Sequence, residues 1–361
     1  MSAHEILIAI MAIFAVLGAA DRIIGNRFGI GKEFEEGILA MGSLAIAMIG
    51  VITLSPVLAS LLKPVIVPVY RALGADPAMF AGTILACDMG GGALAQELTA
   101  DPRAAMLGGV ITGSMLGATI VFTLPVAMGI LAEEDRPAMA KGILCGIVTI
   151  PVGVLAGGLV AGYPLGMVAR NLIPIVIIAI LIALGLWKAE KWMIRGFGLF
   201  GKAIVAMITI GLASAIVQEQ TGFAIIPGMA PIEEGFLTVG AIAIVLAGAF
   251  PLVFVLTKLL KKPLMGLGQR LGINDTAAAG LIASLANSIA TFSMVKDMDR
   301  RGKVVNIAFA VSAAFVFGDH LGFTAGFAPA LLPAMIVGKL VGGISAIAVA
   351  LWLTRKEKAE R

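Results

Sequence analysis

The feature that decides what this chain can fold into is a series of long apolar blocks separated by short charged stretches. The blocks run over 4–24, 36–62, 77–97, 104–131, 139–162, 168–187, 197–217, 234–257, 275–295, 303–327 and 331–354. An α-helix rises 1.5 Å per residue, so about 20 apolar residues cross a hydrocarbon core about 30 Å thick. Of the 361 residues, 60% are hydrophobic and 13% charged, against about 45–50% and 25% in soluble domains. A water-soluble fold has no interior large enough for that surface, so the expected class is an all-α polytopic membrane protein. Many of the 45 glycines lie inside the blocks, where small residues let membrane helices approach closely.

Two blocks are interrupted at their centres. Cys87-Asp88-Met89-Gly90-Gly91-Gly92 breaks the third and Ser284-Leu285-Ala286-Asn287-Ser288 the ninth, so both read as tips of re-entrant hairpins. Positive charge tests this, because cytoplasmic loops carry the excess of Lys and Arg. If all eleven blocks span, the loop Lys and Arg divide 12 to 13; if both hairpins return to their own side, they divide 21 to 4, with Lys339 left inside a helix. Making only the ninth block re-entrant gives 20 to 5, so the charge pattern fixes the second hairpin and leaves the first to other evidence.

An internal repeat supplies it. FEEG at 34–37 recurs as IEEG at 232–235, and Gly42, Gly50, Leu73-Gly74 and Gly82 recur at the same shift as Gly240, Gly248, Leu271-Gly272 and Gly280. Lys63-Pro64 and Arg71 recur one residue further on, as Lys262-Pro263 and Arg270. The expectation is a single membrane transporter domain over 1–361 with about nine transmembrane helices, two hairpins, and repeats over 34–130 and 232–328. Five spans separate the two starts, so the copies are inverted, a plan common among secondary transporters. The N-terminus then lies outside and the C-terminus in the cytoplasm.

Ionisable residues at membrane depth are costly and mark functional sites. Asp88 lies about 11 residues into its hairpin, roughly 16 Å deep along a helical arm, and Asn287 lies at the same depth from the other side. Asp88 is therefore a candidate substrate contact, with helix capping as the structural alternative. Gly318-Asp319-His320-Leu321-Gly322 interrupts the tenth block; Asp319 and His320 read equally as a cation or proton site and as a hydrogen-bonded pair fixing a helix break. Cys87 and Cys145 are isolated in apolar sequence, which indicates neither disulfide nor metal site. Gly196–Lys202 has phosphate-loop spacing, but Ala203 stands where Ser or Thr is required. No cofactor, nucleic-acid partner or catalytic set of nucleophile, base and oxyanion donors is expected, so the chain is not read as an enzyme; a homo-oligomer is compatible with the pattern.

Three long segments carry a resemblance: MFAGTILACDMGGGALAQEL at 79–98, KDMDRRGKVVNIAFAVSAAFVFGDHLGF at 296–323 and MIVGKLVGGISAIAVA at 335–350. By these the chain resembles the ethanolamine permease family of ethanolamine-utilisation operons, with Ser288 where that family often has a second Asn. The resemblance implies uptake of ethanolamine across a bacterial inner membrane, for a cytoplasmic lyase that splits it to acetaldehyde and ammonia. Ethanolamine is a small cation at pH 7; Asp88 or Asp319 suits its ammonium, Asn287 its hydroxyl, and Phe292 or Phe323 are candidate cation–π faces. The competing class is a channel or ion-coupled carrier for another small solute, such as a nucleoside or an inorganic cation.

Overall fold

Without water at membrane depth, a backbone must satisfy its own polar groups, and the helix is the local way to do so. The computed structural model, which describes residues 2–355, is built of helices with no strand among the described residues. In chain order they are α1 (Ala3–Ile23), α2 (Ile30–Ala72), α3 (Ala78–Ile84), α4 (Gly91–Leu98), α5 (Pro102–Ile130), α6 (Arg136–Val160), α7 (Leu165–Thr221), α8 (Ile232–Leu271), α9 (Asp275–Ala286), α10 (Ser288–Met294), α11 (Arg300–Ala313), α12 (Asp319–Phe327) and α13 (Leu332–Leu353). Among the described residues, eight helical stretches are long and apolar enough to cross a membrane. The ninth expected span, block ten, is split into α11 and α12 by the non-helical segment 314–318.

Both weak blocks fold back on themselves. In the first hairpin, Thr99 Oγ1 donates to Asp76 Oδ2 over 2.8 Å, tying the exit of α4 to the entry of α3. In the second, the Asn274 amide donates to Asp299 Oδ1 over 2.8 Å and the Asn274 side chain to the Asp297 carbonyl over 3.0 Å. Halfway down that hairpin, Thr291 Oγ1 donates to the Gly280 carbonyl over 3.0 Å, so its two arms are in direct contact.

The long helices α2 and α8 pack antiparallel. Gly37 lies against Leu246 and Ala247, while Gly235 lies against Ile49; an added Cβ would come within 2.5 Å and 2.9 Å of them. The two hairpins that follow α2 and α8 therefore open at opposite ends of the bundle. Each of these helices ends at the Leu-Gly doublet noted in the sequence, with Gly74 and Gly272 at φ +71° and +68°. Gly50 of α2 meets Ile208 of α7, and Gly248 of α8 meets Met11 of α1.

Two details refine the block pattern. Blocks six and seven are the two spans Leu165–Ala189 and Lys191–Thr221, grouped here as α7 and separated by a sharp kink at Ala189 (φ −141°, ψ 41°). The linking stretch around Lys188 and Lys191 is rich in good helix formers, and Trp187 and Trp192 beside it are exposed, as suits an interfacial anchor. In α5, Leu107–Gly117 and Thr119–Thr123 are wound as π-helix, a form that concentrates at functional sites. Glycines on α5 cradle the first hairpin: a Cβ on Gly117 would fall 1.9 Å from the Leu85 carbonyl oxygen and one on Gly108 2.5 Å from that of Ala78. The expected cytoplasmic C-terminus falls on residues 356–361, outside those described.

Candidate functional site

At the first hairpin tip the chain leaves α3 in extended conformation at Leu85, makes one 3₁₀ turn over Cys87–Met89, and enters α4 through Gly90 at φ +85°. No L side chain is comfortable at that φ, and the turn presents Asp88 to the middle of the bundle. The capping role open to Asp88 is not the one built, since no side chain caps either helix start beside it. Its carboxylate lies 3.7 Å from His320 Nε2.

The second broken element is built against the second hairpin. The Phe315 amide donates to the Ser284 carbonyl over 3.1 Å and the Phe317 amide to the Leu285 carbonyl over 2.9 Å. The unwound segment thus satisfies itself on the unwound tip of α9, and a Cβ on Gly318 would lie 2.2 Å from the Ala286 carbonyl oxygen. Asp319 and His320 start α12 immediately afterwards.

Asp88, Asp319 and His320 line one cavity of about 190 Å³ together with Met89, Phe122 and Phe315. His320 is buried and its Nδ1 has no hydrogen-bond partner among the described residues. Of the two readings of Asp319 and His320, a hydrogen bond between them is not formed among the described residues: neighbours at a helix start point in different directions, and the carboxylate beside the imidazole is Asp88 from the other broken element. Asn287 caps α10, accepting from the Ile289 amide over 2.7 Å, and lines a neighbouring cavity that Asp319 also borders.

The aromatic expectation is corrected as well. Phe292 and Phe323 are each 1% exposed and packed in the hydrophobic core, and neither lines the cavity. Its rings are Phe122 and Phe315, edge to face with centroids 5.4 Å apart, with Phe315 also 5.2 Å from the His320 ring.

A resident cation completes the surroundings. Lys339 on α13 is 1% exposed, and its ammonium donates to the Ser114 carbonyl in the π-wound part of α5. Its charge acts on Asp88, Cys87 and His320. The sequence signal was a single Lys stranded in an apolar block. Cys87, Asp88 and His320 also place one ligand atom each within 4.8 Å of one another, a mixed thiol, carboxylate and imidazole trio that no linear spacing announces.

The model of the family described as "Ethanolamine utilisation protein, EutH" matches residues 3–353. Among curated relatives, the chain is 60% identical to "Probable ethanolamine permease EutH" of Listeria monocytogenes, covering 99% of this chain and 95% of the relative. It is 50% identical to "Uncharacterized protein YxeR" of Bacillus subtilis, covering 100% and 98%. It is 49% identical to "Probable ethanolamine permease EutH" of Escherichia coli, covering 99% and 97%. No solved structure matches the chain.

Phe315 carries a testable strain. Its φ is +64°, a conformation that costs a bulky L residue about 1–3 kcal/mol and glycine little. Phe315→Gly and Phe315→Ala both remove the ring, so thermal unfolding in detergent should find the glycine variant the more stable by about 1 kcal/mol. Equal or reversed stabilities would mean that the left-handed backbone there is not held in the folded protein.

Proposed function

Because the chain belongs to the ethanolamine utilisation protein EutH family, we propose that this multi-pass membrane protein is a transporter, not an enzyme, that brings ethanolamine into the cell as its ammonium ion. The observation that carries the reading is the charge count of the central cavity. Two carboxylates from two separately broken elements, Asp88 and Asp319, face it with one resident ammonium, Lys339, acting on Asp88. The acidic groups outnumber the resident amine by one, which suits a further cation.

The ammonium then lies against Asp88 and Asp319, where low dielectric strengthens the attraction, with the Phe122 and Phe315 faces adding cation–π contact. His320 is the polar neighbour proposed for the hydroxyl within this cavity; Asn287, the candidate read from the sequence, lines the adjoining cavity instead. Inorganic cation transport is the second reading, favoured by the Cys87, Asp88 and His320 donor trio; the aromatic lining favours an organic ammonium.

The relation between α1–α5 and the second part of α7 through α12 supports an inverted repeat over 34–130 and 232–328. The equivalent helices α2 and α8 run antiparallel, and the Gly50–Ile208 contact corresponds to the Gly248–Met11 contact. The 21 to 4 charge split supports an outward N-terminus and a cytoplasmic C-terminus in a bacterial inner membrane. Cysteine labelling from outside should reach 64–76 and not 296–303; the opposite pattern would invert the topology.

Asp88→Asn keeps shape and removes charge, and the loss of one partner from a buried ion pair costs about 3–5 kcal/mol. Ethanolamine uptake by proteoliposomes should fall by about two orders of magnitude or more, with membrane abundance unchanged. Uptake by the unmodified protein should follow an imposed potential, which favours a monovalent cation by about 2.3 kcal/mol per 100 mV, and ignore a pH gradient at fixed potential. Wild-type rates in Asp88→Asn would remove that carboxylate from the substrate site. Concentrative uptake driven by a proton gradient alone, lost in His320→Ala, would make His320 a proton site.

A further inference from the structure

The unwound segment 314–318 stands between two cavities, and Asp319 borders both. Its aromatic residues alternate across the partition, Phe315 lining the first cavity and Phe317 the second. The second measures about 380 Å³, and its lining includes Glu33, Phe254, Lys258 and Asn287 beside Asp319 and Phe317. Among the described residues, neither Glu33 nor Asp319 spends its carboxylate on a hydrogen bond or an ion pair. The protein already sets a primary alkylammonium in this cavity, because Lys258 Nζ lies 4.0 Å from the centroid of the Phe254 ring, the geometry of a cation–π contact. No carboxylate bridges that ammonium among the described residues.

We infer that the second cavity is a second binding site for a primary alkylammonium, with Glu33 and Asp319 as its counter-charges, the Phe254 and Phe317 rings as its faces, and Lys258 as a tethered occupant that the ligand displaces. The inference rests on the ethanolammonium reading and extends it. Asp319 belongs to both sites, so the cation moves from Asp88 towards Glu33 without passing through a stretch that lacks a counter-charge. A desolvated ammonium is costly at every step where no carboxylate faces it, and a shared carboxylate removes that step. Lys258, by leaving and returning to the Phe254 face, partly offsets Glu33 and Asp319 between passages.

The test places a thiol at the second cavity. Thr257 lines it, and the native Cys87 and Cys145 are buried, which keeps background labelling low. In the full-length Thr257→Cys protein in detergent, modification by cationic 2-aminoethyl methanethiosulfonate is compared with modification by anionic 2-sulfonatoethyl methanethiosulfonate. The ratio of the two rates cancels changes in the thiol itself. Glu33→Gln should lower the cation-to-anion ratio roughly fivefold or more, the worth of about 1 kcal/mol of local attraction, and Lys258→Met should raise it. Ethanolamine should slow the cationic reagent. Opposite shifts from two substitutions in one cavity are not what a folding defect produces. A ratio indifferent to Glu33→Gln, or no protection by ethanolamine while the wild type still takes it up, overturns the second site and leaves the Asp88 site standing. Wild-type protein that takes up no ethanolamine yet shows both ratio shifts keeps the ammonium site and overturns the ethanolamine reading.

Discussion

A backbone amide exposed to hydrocarbon has no water to bond with, and leaving one unpaired costs several kcal/mol. The rest of this structure depends on how that cost is avoided where the helices break. The broken segment 314–318 donates its Phe315 and Phe317 amides to Ser284 and Leu285 carbonyls at the second hairpin tip, so two irregular stretches become one hydrogen-bonded unit. The first tip is enclosed differently, by glycines of α5 that bring the helix backbone against Leu85 and Cys87. Only because both breaks are held this way are Asp88, Asp319 and His320 presented to one cavity.

The electrostatics follow from that arrangement. Carboxylates at membrane depth need a counter-charge, and Lys339 supplies one from a different helix, anchored on the Ser114 carbonyl of the π-wound α5. Lys339 acts on Asp88, while Asp319 lines the same cavity without a hydrogen bond or ion pair among the described residues. The aromatic rings around it are placed by the strained turn at Phe315 as much as by regular helix.

Much of this was legible in the sequence, for physical reasons that can be named. Polar and glycine residues at Asp88–Gly92 and Ser284–Ser288 cannot sit in the middle of a lipid-facing helix, so they announced the hairpins; Gly318-Asp319-His320 announced the third break in the same way. What the sequence left open was direction. Apolar periodicity does not separate a ring that faces a cavity from one that faces other side chains, so Phe292 and Phe323 were named as candidate faces where Phe122 and Phe315 line the cavity. Adjacency in sequence suggested pairing Asp319 with His320, whereas a helix start fans neighbouring side chains apart and His320 meets Asp88. Lys339 was visible only as a misfit in its block, since its hydrogen-bond acceptor Ser114 and the carboxylate it acts on, Asp88, both lie more than two hundred positions away.

The central claim is that the cavity selects a small organic ammonium. Counterflow in proteoliposomes tests it most directly: vesicles loaded with unlabelled ethanolamine are diluted into labelled ethanolamine, with nucleosides or alkali cations added outside as competitors. The account predicts transient accumulation of label that depends on the protein, is suppressed by excess external ethanolamine, and is indifferent to nucleosides and to alkali cations. Accumulation abolished by an alkali cation or a nucleoside, or no counterflow of ethanolamine at all, would contradict it.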